Sequence, residues 1–219
     1  MAIDFYYTPG SAPCRIVMLV AAALNIELNL NLVDLAGQEH LKPDFLKLNP
    51  QHTVPTIVDD GFSLWESRAI SRYLVNKYGG DSALYPQDAQ ARALVDQRLD
   101  FDIGTLYPRF AKYYYPQLFG GAPAVEADLE KLKEGLQFFN TFLEGRKYSA
   151  GEELTLADLS LVATISTIDA AGIGLKEYPN VEKWFELVKA TAPGYEEANQ
   201  KGIDAFKGFI AMMKAKTEL

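Results

Sequence analysis

The stretch Ile3-Asp4-Phe5-Tyr6-Tyr7-Thr8-Pro9-Gly10-Ser11-Ala12-Pro13-Cys14-Arg15, followed by the apolar run Ile16 to Leu24, contains the change of pattern that decides the fold. Ile3 to Tyr7 is β-branched and aromatic and runs into Pro9-Gly10, which reads as a strand entering a tight turn. Ile16 to Leu24 has helical length, with Pro13 in its first turn and Ser11 as a natural N-cap. Strand, turn and helix N-terminus therefore meet at Ser11. A helix N-terminus carries unpaired N–H groups and about half a positive charge, so an anion is stabilised there. The Ser11 hydroxyl adds a donor that suits a thiolate as well as a phosphate. On this stretch alone, however, simple helix capping is the favoured role of Ser11.

The totals narrow the classes. A chain of 219 residues suits one large or two small domains, and 48% apolar residues suffice for a sizeable core. The net charge of −8 argues against a nucleic-acid or anionic-membrane partner, so an anionic ligand would need a local positive spot. Cys14 is the only cysteine, which excludes an intrachain disulfide and fits a reducing, cytoplasmic compartment. Arg15 and the run after it imitate the apolar region of a secretory signal. Asp4, Pro9 and Pro13 precede that run and already read as strand and turn, so secretion is rejected. The run is also too short to cross a bilayer.

After the first helix, Asn29 to Val33 alternates as a strand parallel to the first, giving a β-α-β unit. A polar segment, Asp34 to Lys42, leads to a short helical piece at Pro43 to Leu48 and a turn-rich loop, Asn49 to Pro55. Thr56 to Asp59 and Phe62 to Leu64 flank Asp60-Gly61, a strong hairpin signal. Trp65-Glu66-Ser67-Arg68 opens a helix that stops at Gly79-Gly80. This order predicts a small mixed sheet with helices on its faces over residues 1–82. A linker at 83–88 follows, and the remainder, 89–219, is predicted to be all-helical. Val125, Leu129, Leu132, Leu136, Phe139 and Leu143 form one amphipathic stripe. Thr155-Leu156-Ala157-Asp158 reads as a capping box that opens an almost wholly apolar helix, with Asp158 structural and not catalytic. Further helices are predicted near Val181 to Thr191 and Ala198 to Lys216.

Several residues of the first half can carry chemistry. Glu66 can meet an ammonium, and Ser67 and Arg68, at a helix start, can meet a carboxylate. Val54-Pro55 precedes a strand, where backbone groups can pair with an extended peptide ligand. His40 and His52, the only histidines, lie in loops on either side of the short helical piece. With a single cysteine, no metal-ligand spacing is present.

Pro9 to Arg15, Glu39-His40-Leu41-Lys42-Pro43, Asn49 to Thr56 and Leu64-Trp65-Glu66-Ser67-Arg68-Ala69-Ile70 together resemble a cytosolic glutathione transferase, most nearly of the insect delta class. The resemblance continues through Thr105-Leu106-Tyr107 and Leu154 to Asp158, and so spans nearly the whole chain. It implies a thioredoxin-like N-terminal domain, an all-α C-terminal domain, a homodimer, and glutathione as co-substrate with no further cofactor and no metal. Ser11 would donate to the glutathione sulfur. Glu66 and Ser67 would hold the γ-glutamyl end, with Arg68 nearby, and His52 and His40 would face the glycyl carboxylate. Val54 would pair with the cysteinyl backbone through a cis Val54–Pro55 bond, with Thr53 beside it. Pro13, Leu35, Tyr107, Phe110, Tyr113, Phe119 and Phe206 would line a pocket for hydrophobic electrophiles, with Pro108 kinking the aromatic segment.

The chemistry is that of a thiolate. An ordinary thiol of pKa about 8.5 is only about 3% ionised at pH 7. Lowering it to about 6.5 requires about 2.7 kcal/mol. One charge-assisted hydrogen bond of about 1.5–3 kcal/mol and a helix-terminus contribution of about 0.3–1 kcal/mol supply this. Two other readings remain. One is a non-catalytic module that holds glutathione or apolar ligands. The other is a thiol oxidoreductase using Cys14, disfavoured because serine stands at the attacking position of Ser11-Ala-Pro-Cys14.

Overall fold

The computed structural model describes residues 2–217. Four strands form one sheet in the order β2-β1-β3-β4: β1 (Ile3–Tyr7), β2 (Leu28–Leu32), β3 (Thr56–Asp59) and β4 (Phe62–Trp65). β1 runs parallel to β2 and antiparallel to β3, and β4 closes the hairpin with β3. The register pairs Tyr7 with Leu32, Tyr6 with Thr56 and Thr56 with Trp65. Consequently the ends of β1, β2 and β4 and the start of β3 all lie at one end of the sheet.

Helix α1 (Ala12–Ala23) is buried on nearly every side, with Cys14, Ile16, Val17, Leu19 and Val20 out of contact with solvent. It packs against α3 (Ser67–Tyr78) on one side and α7 (Leu156–Ala170) on the other. That double burial explains its apolar composition. A short helix, α2 (Pro43–Leu48), buries Phe45 against Tyr6, the ring centroids lying 5.8 Å apart. The second half comprises α4 (Ala89–Phe101), α5 (Tyr107–Gly120), α6 (Glu126–Phe142), α7, α8 (Pro179–Thr191) and α9 (Lys201–Thr217). The thioredoxin-like sheet domain and the helical domain share one continuous core that includes Phe5, Val17, Leu74, Leu99, Leu136 and Ile165.

Asp158 behaves as a cap. Its carboxylate accepts from the Thr155 amide at 2.9 Å, the Thr155 hydroxyl at 3.0 Å, the Ser149 amide at 2.7 Å and Trp184 Nε1 at 2.8 Å. Every lone pair is committed to holding the start of α7.

Some boundaries differ from the sequence reading. Trp65 belongs to β4 because it completes the ladder opposite Thr56, and α3 begins two residues later, at Ser67. Val125 is half-exposed at the N-cap of α6, so the buried stripe starts at Leu132. Pro108 stands in the first turn of α5, directly after a π-helical turn at Asp102–Leu106 that continues from α4. A second π turn, Glu196–Gln200, precedes α9.

Candidate active site

The site is assembled by the sheet register. Ser11 follows β1, Leu35 follows β2, Val54-Pro55 precedes β3 and Glu66-Ser67 follows β4, so all four segments emerge at the same sheet end. Ser11 is the N-cap of α1 with extended backbone, and its Oγ accepts from the Cys14 amide at a long 3.4 Å. The hydroxyl accepts in that bond, so the cap does not use its proton. Cys14 itself is fully buried, and burial pushes its thiol up to about 11, against opposing pulls from Ser11, Thr8 and Arg15. A thiol so placed is inert at neutral pH.

The Asn49–Pro55 loop is built on a buried amide. Asn49 Nδ2 donates to the Thr53 carbonyl, Thr53 Oγ1 and Thr56 Oγ1, each at 3.0 Å, while its Oδ1 accepts from the Gln51 amide at 2.8 Å. Trp65 Nε1 donates to Gln51 Oε1, which ties the loop to the end of β4. The Val54–Pro55 bond is cis. His52 stands in the loop at φ 49°, its ring 6.0 Å from that of His40. The buried Nδ1 of His40 has no hydrogen-bond partner among the described residues.

Glu66 has φ 68°, a conformation that costs a non-glycine residue about 1–3 kcal/mol and concentrates at functional sites. It is exposed, whereas Ser67 and Arg68 are buried. Arg68 Nη1 donates to Ser67 Oγ at 3.0 Å. Its Nη2 donates at 2.5 Å to Asp102 Oδ2, which also accepts from Ser160 Oγ at 2.5 Å. Nothing in the sequence pattern singled out Asp102. It lies in the π turn, whose extra residue per turn no periodicity rule anticipates.

The aromatic residues divide by helix face. Tyr107 and Tyr115 join hydroxyls at 2.7 Å, and the line of rings continues through Phe119, 5.5 Å from Tyr115, to Phe209, 5.8 Å from Phe119. Burial pushes the Tyr107 phenol up, partly offset by the bond to Tyr115 and by Arg68 and Arg15. Phe110 is fully buried behind this wall, stacked on Tyr114 at 5.4 Å. Tyr113 lines a cavity of about 510 Å³ together with Gln117, Ile173 and Met213. Phe206 is buried with Leu118 and Ile210, and its backbone abuts Gly10: a Cβ added there would stand 3.4 Å from Phe206 Cα. Pro13 is half-buried in the first turn of α1, and Leu35 is exposed beyond β2. Tyr115, which the sequence reading did not place with Tyr107, lies two helical turns from it, and that spacing is the signal for their contact.

Comparison with known proteins decides the family. The N-terminal domain model of glutathione S-transferases matches residues 1–76, and the C-terminal domain model matches residues 94–191. The chain belongs to the glutathione S-transferase family. A delta-class glutathione transferase of Nilaparvata lugens is 54% identical to this transferase, covering 96% of this chain and 99% of the other, with a TM-score of 0.94. The Bombyx mori glutathione transferase BmGSTD1 is 46% identical over 95% of this chain and 98% of its own, with a TM-score of 0.92. An epsilon-class enzyme of the housefly, Musca domestica, is 37% identical over 98% of both chains, with a TM-score of 0.89. No helix among the described residues of the transferase is long and apolar enough to cross a membrane.

Proposed function

We propose that this transferase joins the thiolate of reduced glutathione to hydrophobic electrophiles, with Ser11 as the donor that stabilises the thiolate. The observation that carries the reading is the convergence of Ser11, Val54-Pro55 and Glu66-Ser67 at one sheet end, opposite the helical domain whose α9 abuts Gly10. Glutathione is an extended anionic tripeptide. Its ammonium end suits the exposed Glu66, and its γ-glutamyl carboxylate suits Ser67 and the amides opening α3, with Arg68 behind. Its cysteinyl backbone suits Val54, and its glycyl carboxylate suits His52 and His40. The sulfur then falls to Ser11 and the N-terminus of α1.

No general base is required. Ser11 and the helix terminus favour the ionised sulfur, the thiolate attacks the electrophile, and the leaving group departs or a proton is taken from water. Tyr107, Tyr115 and Phe119, with Pro13 and Leu35, form the apolar wall for the second substrate, and Phe110 and Phe206 support it from behind. Dehydrochlorination and reduction of organic hydroperoxides draw on the same thiolate. The functional unit of this reading is a cytoplasmic homodimer using glutathione as co-substrate without a further cofactor. Each chain divides into 1–82 and 89–219, joined by 83–88.

The test is the ultraviolet difference spectrum of bound glutathione against pH for the wild type and Ser11→Ala. A thiolate band at neutral pH, displaced to higher pH in Ser11→Ala, supports the reading, as does a fall in kcat much larger than the loss of glutathione affinity. Binding without a neutral-pH thiolate would instead identify a ligand-holding module.

A further inference from the structure

Arg15 is fully buried, and among the described residues every acceptor it meets is neutral. Its Nη1 donates to Ser166 Oγ at 3.1 Å and to Asn199 Oδ1. Its Nη2 donates to Thr167 Oγ1 at 2.5 Å and to the Ala163 carbonyl at 3.3 Å. Nε has no partner among the described residues. Arg68, by contrast, is matched by Asp102. A buried charge without a counter-charge is costly, and a neutral amide could make similar hydrogen bonds between α1 and α7 without that cost. The charge itself therefore needs a reason.

Its position supplies one. The Arg15 amide donates to the Ser11 carbonyl at 3.1 Å, so the residue lies one helical turn from the proposed thiolate donor. Its stem fills the space beside Gly202 and the Pro9 carbonyl: a Cβ on Gly202 would overlap the stem and stand 2.6 Å from Pro9 O. The titratable groups that act most on the guanidinium are Cys14 on α1, Tyr107 and Tyr115 on α5, and Tyr195 ahead of the second π turn. All four are neutral at pH 7. Burial pushes Arg15 down to about 10, which still leaves it charged at neutral pH.

We propose that Arg15 touches no substrate but acts at a distance on the glutathione sulfur, its unneutralised charge adding to Ser11 and the α1 terminus in favouring the thiolate. The inference rests on the thiolate mechanism proposed above. At an effective dielectric constant of about 20, a unit charge at a separation of about 10 Å would shift an ionisation equilibrium roughly tenfold, and the shift grows as the separation shortens.

Removing Arg15 risks the fold, so the test neutralises it in place. Asn199→Asp is isosteric and sets a carboxylate where the amide oxygen already accepts from Arg15. The thiol pKa of bound glutathione is measured by ultraviolet titration in wild type, Asn199→Asp and Arg15→Lys, alongside thermal melting. The expected result is a rise of about one pH unit in Asn199→Asp with melting undiminished, and a change within about 0.3 unit in Arg15→Lys. Thr167→Asp, which sets a carboxylate against the other guanidinium nitrogen, is expected to repeat the rise. Equal thiol pKa values in the wild type and a folded Asn199→Asp or Thr167→Asp would overturn the proposal, leaving Arg15 a clasp between helices. A wild-type thiol titrating like free glutathione would overturn the thiolate mechanism and this inference together.

Discussion

Arg68 Nη2 and Asp102 Oδ2 lie 2.5 Å apart, both buried, and join the helix that opens at the candidate site to the π turn of the helical half. Arg68 also donates to Ser67 Oγ at 3.0 Å, so a change at Asp102 reaches the residue expected to meet the γ-glutamyl carboxylate. Asp102→Ala leaves the guanidinium buried and unpaired, at an expected cost of about 3–5 kcal/mol. The check is chemical denaturation combined with glutathione titration. Weakened stability and affinity together are the expected outcome, and a neutral effect on both would refute the coupling.

Gly202 opens the contact between α9 and the Ser11 turn. Because an added methyl would overlap the Arg15 stem and stand 2.6 Å from the Pro9 carbonyl, Gly202→Ala must displace either α9 or the turn. Overpacking of this kind costs about 1–3 kcal/mol. Conjugation activity is expected to fall more than it does in Gly208→Ala, since an added Cβ at Gly208 meets no atom within 4 Å. Equal activities in the two variants would show that the turn tolerates movement.

Asp59 provides a pH signature of stability. Burial raises its carboxyl pKa, but donation from Lys77 at 2.8 Å, Tyr73 at 2.7 Å and Tyr78 at 2.7 Å outweighs this, and the net shift is downward. A folded-state pKa below the unfolded one stabilises the fold above the unfolded value, about 3.9, and this contribution is lost as pH falls through the folded value. Asp59→Asn is therefore expected to melt lower than wild type at pH 7 and to show less additional loss below pH 4. Melting temperatures across pH 2 to 7 test this, and parallel curves would contradict it.

Phe110 and Phe119 lie on the same helix, α5, in different surroundings. Phe110→Ala empties a fully buried site and is expected to cost about 3–5 kcal/mol of stability. Phe119 is largely exposed, 59%, against Tyr115 and Phe209, so Phe119→Ala is expected to leave stability nearly unchanged while altering the ranking of electrophiles. An unchanged substrate profile would remove Phe119 from the pocket wall.

Much of this was legible along the chain because the signals are local. The strand at Ile3–Tyr7, the cap at Ser11, the Asp60-Gly61 hairpin and the Thr155/Asp158 capping box each depend on neighbours within a few residues. The aromatic segment was harder. Spacing shows that Tyr107, Phe110 and Tyr114 share a face, but not which face meets the first domain. Only packing assigned Phe110 to the core, paired Tyr107 with Tyr115, and set Tyr113 beside a cavity that Ile173 also lines.

By itself, then, the sequence determined the element order of the sheet half, the helical character of the second half and the residue types gathered around Ser11, since propensity, capping and turn chemistry act over short range. Tertiary structure alone decided that Asp102 answers Arg68, that Arg15 meets only neutral acceptors among the described residues, and that Gly202 seats α9 on the Ser11 turn. Those relationships join residues 34 to 193 positions apart. They depend on burial and, for Asp102, on the π turn at Asp102–Leu106, which no local periodicity encodes.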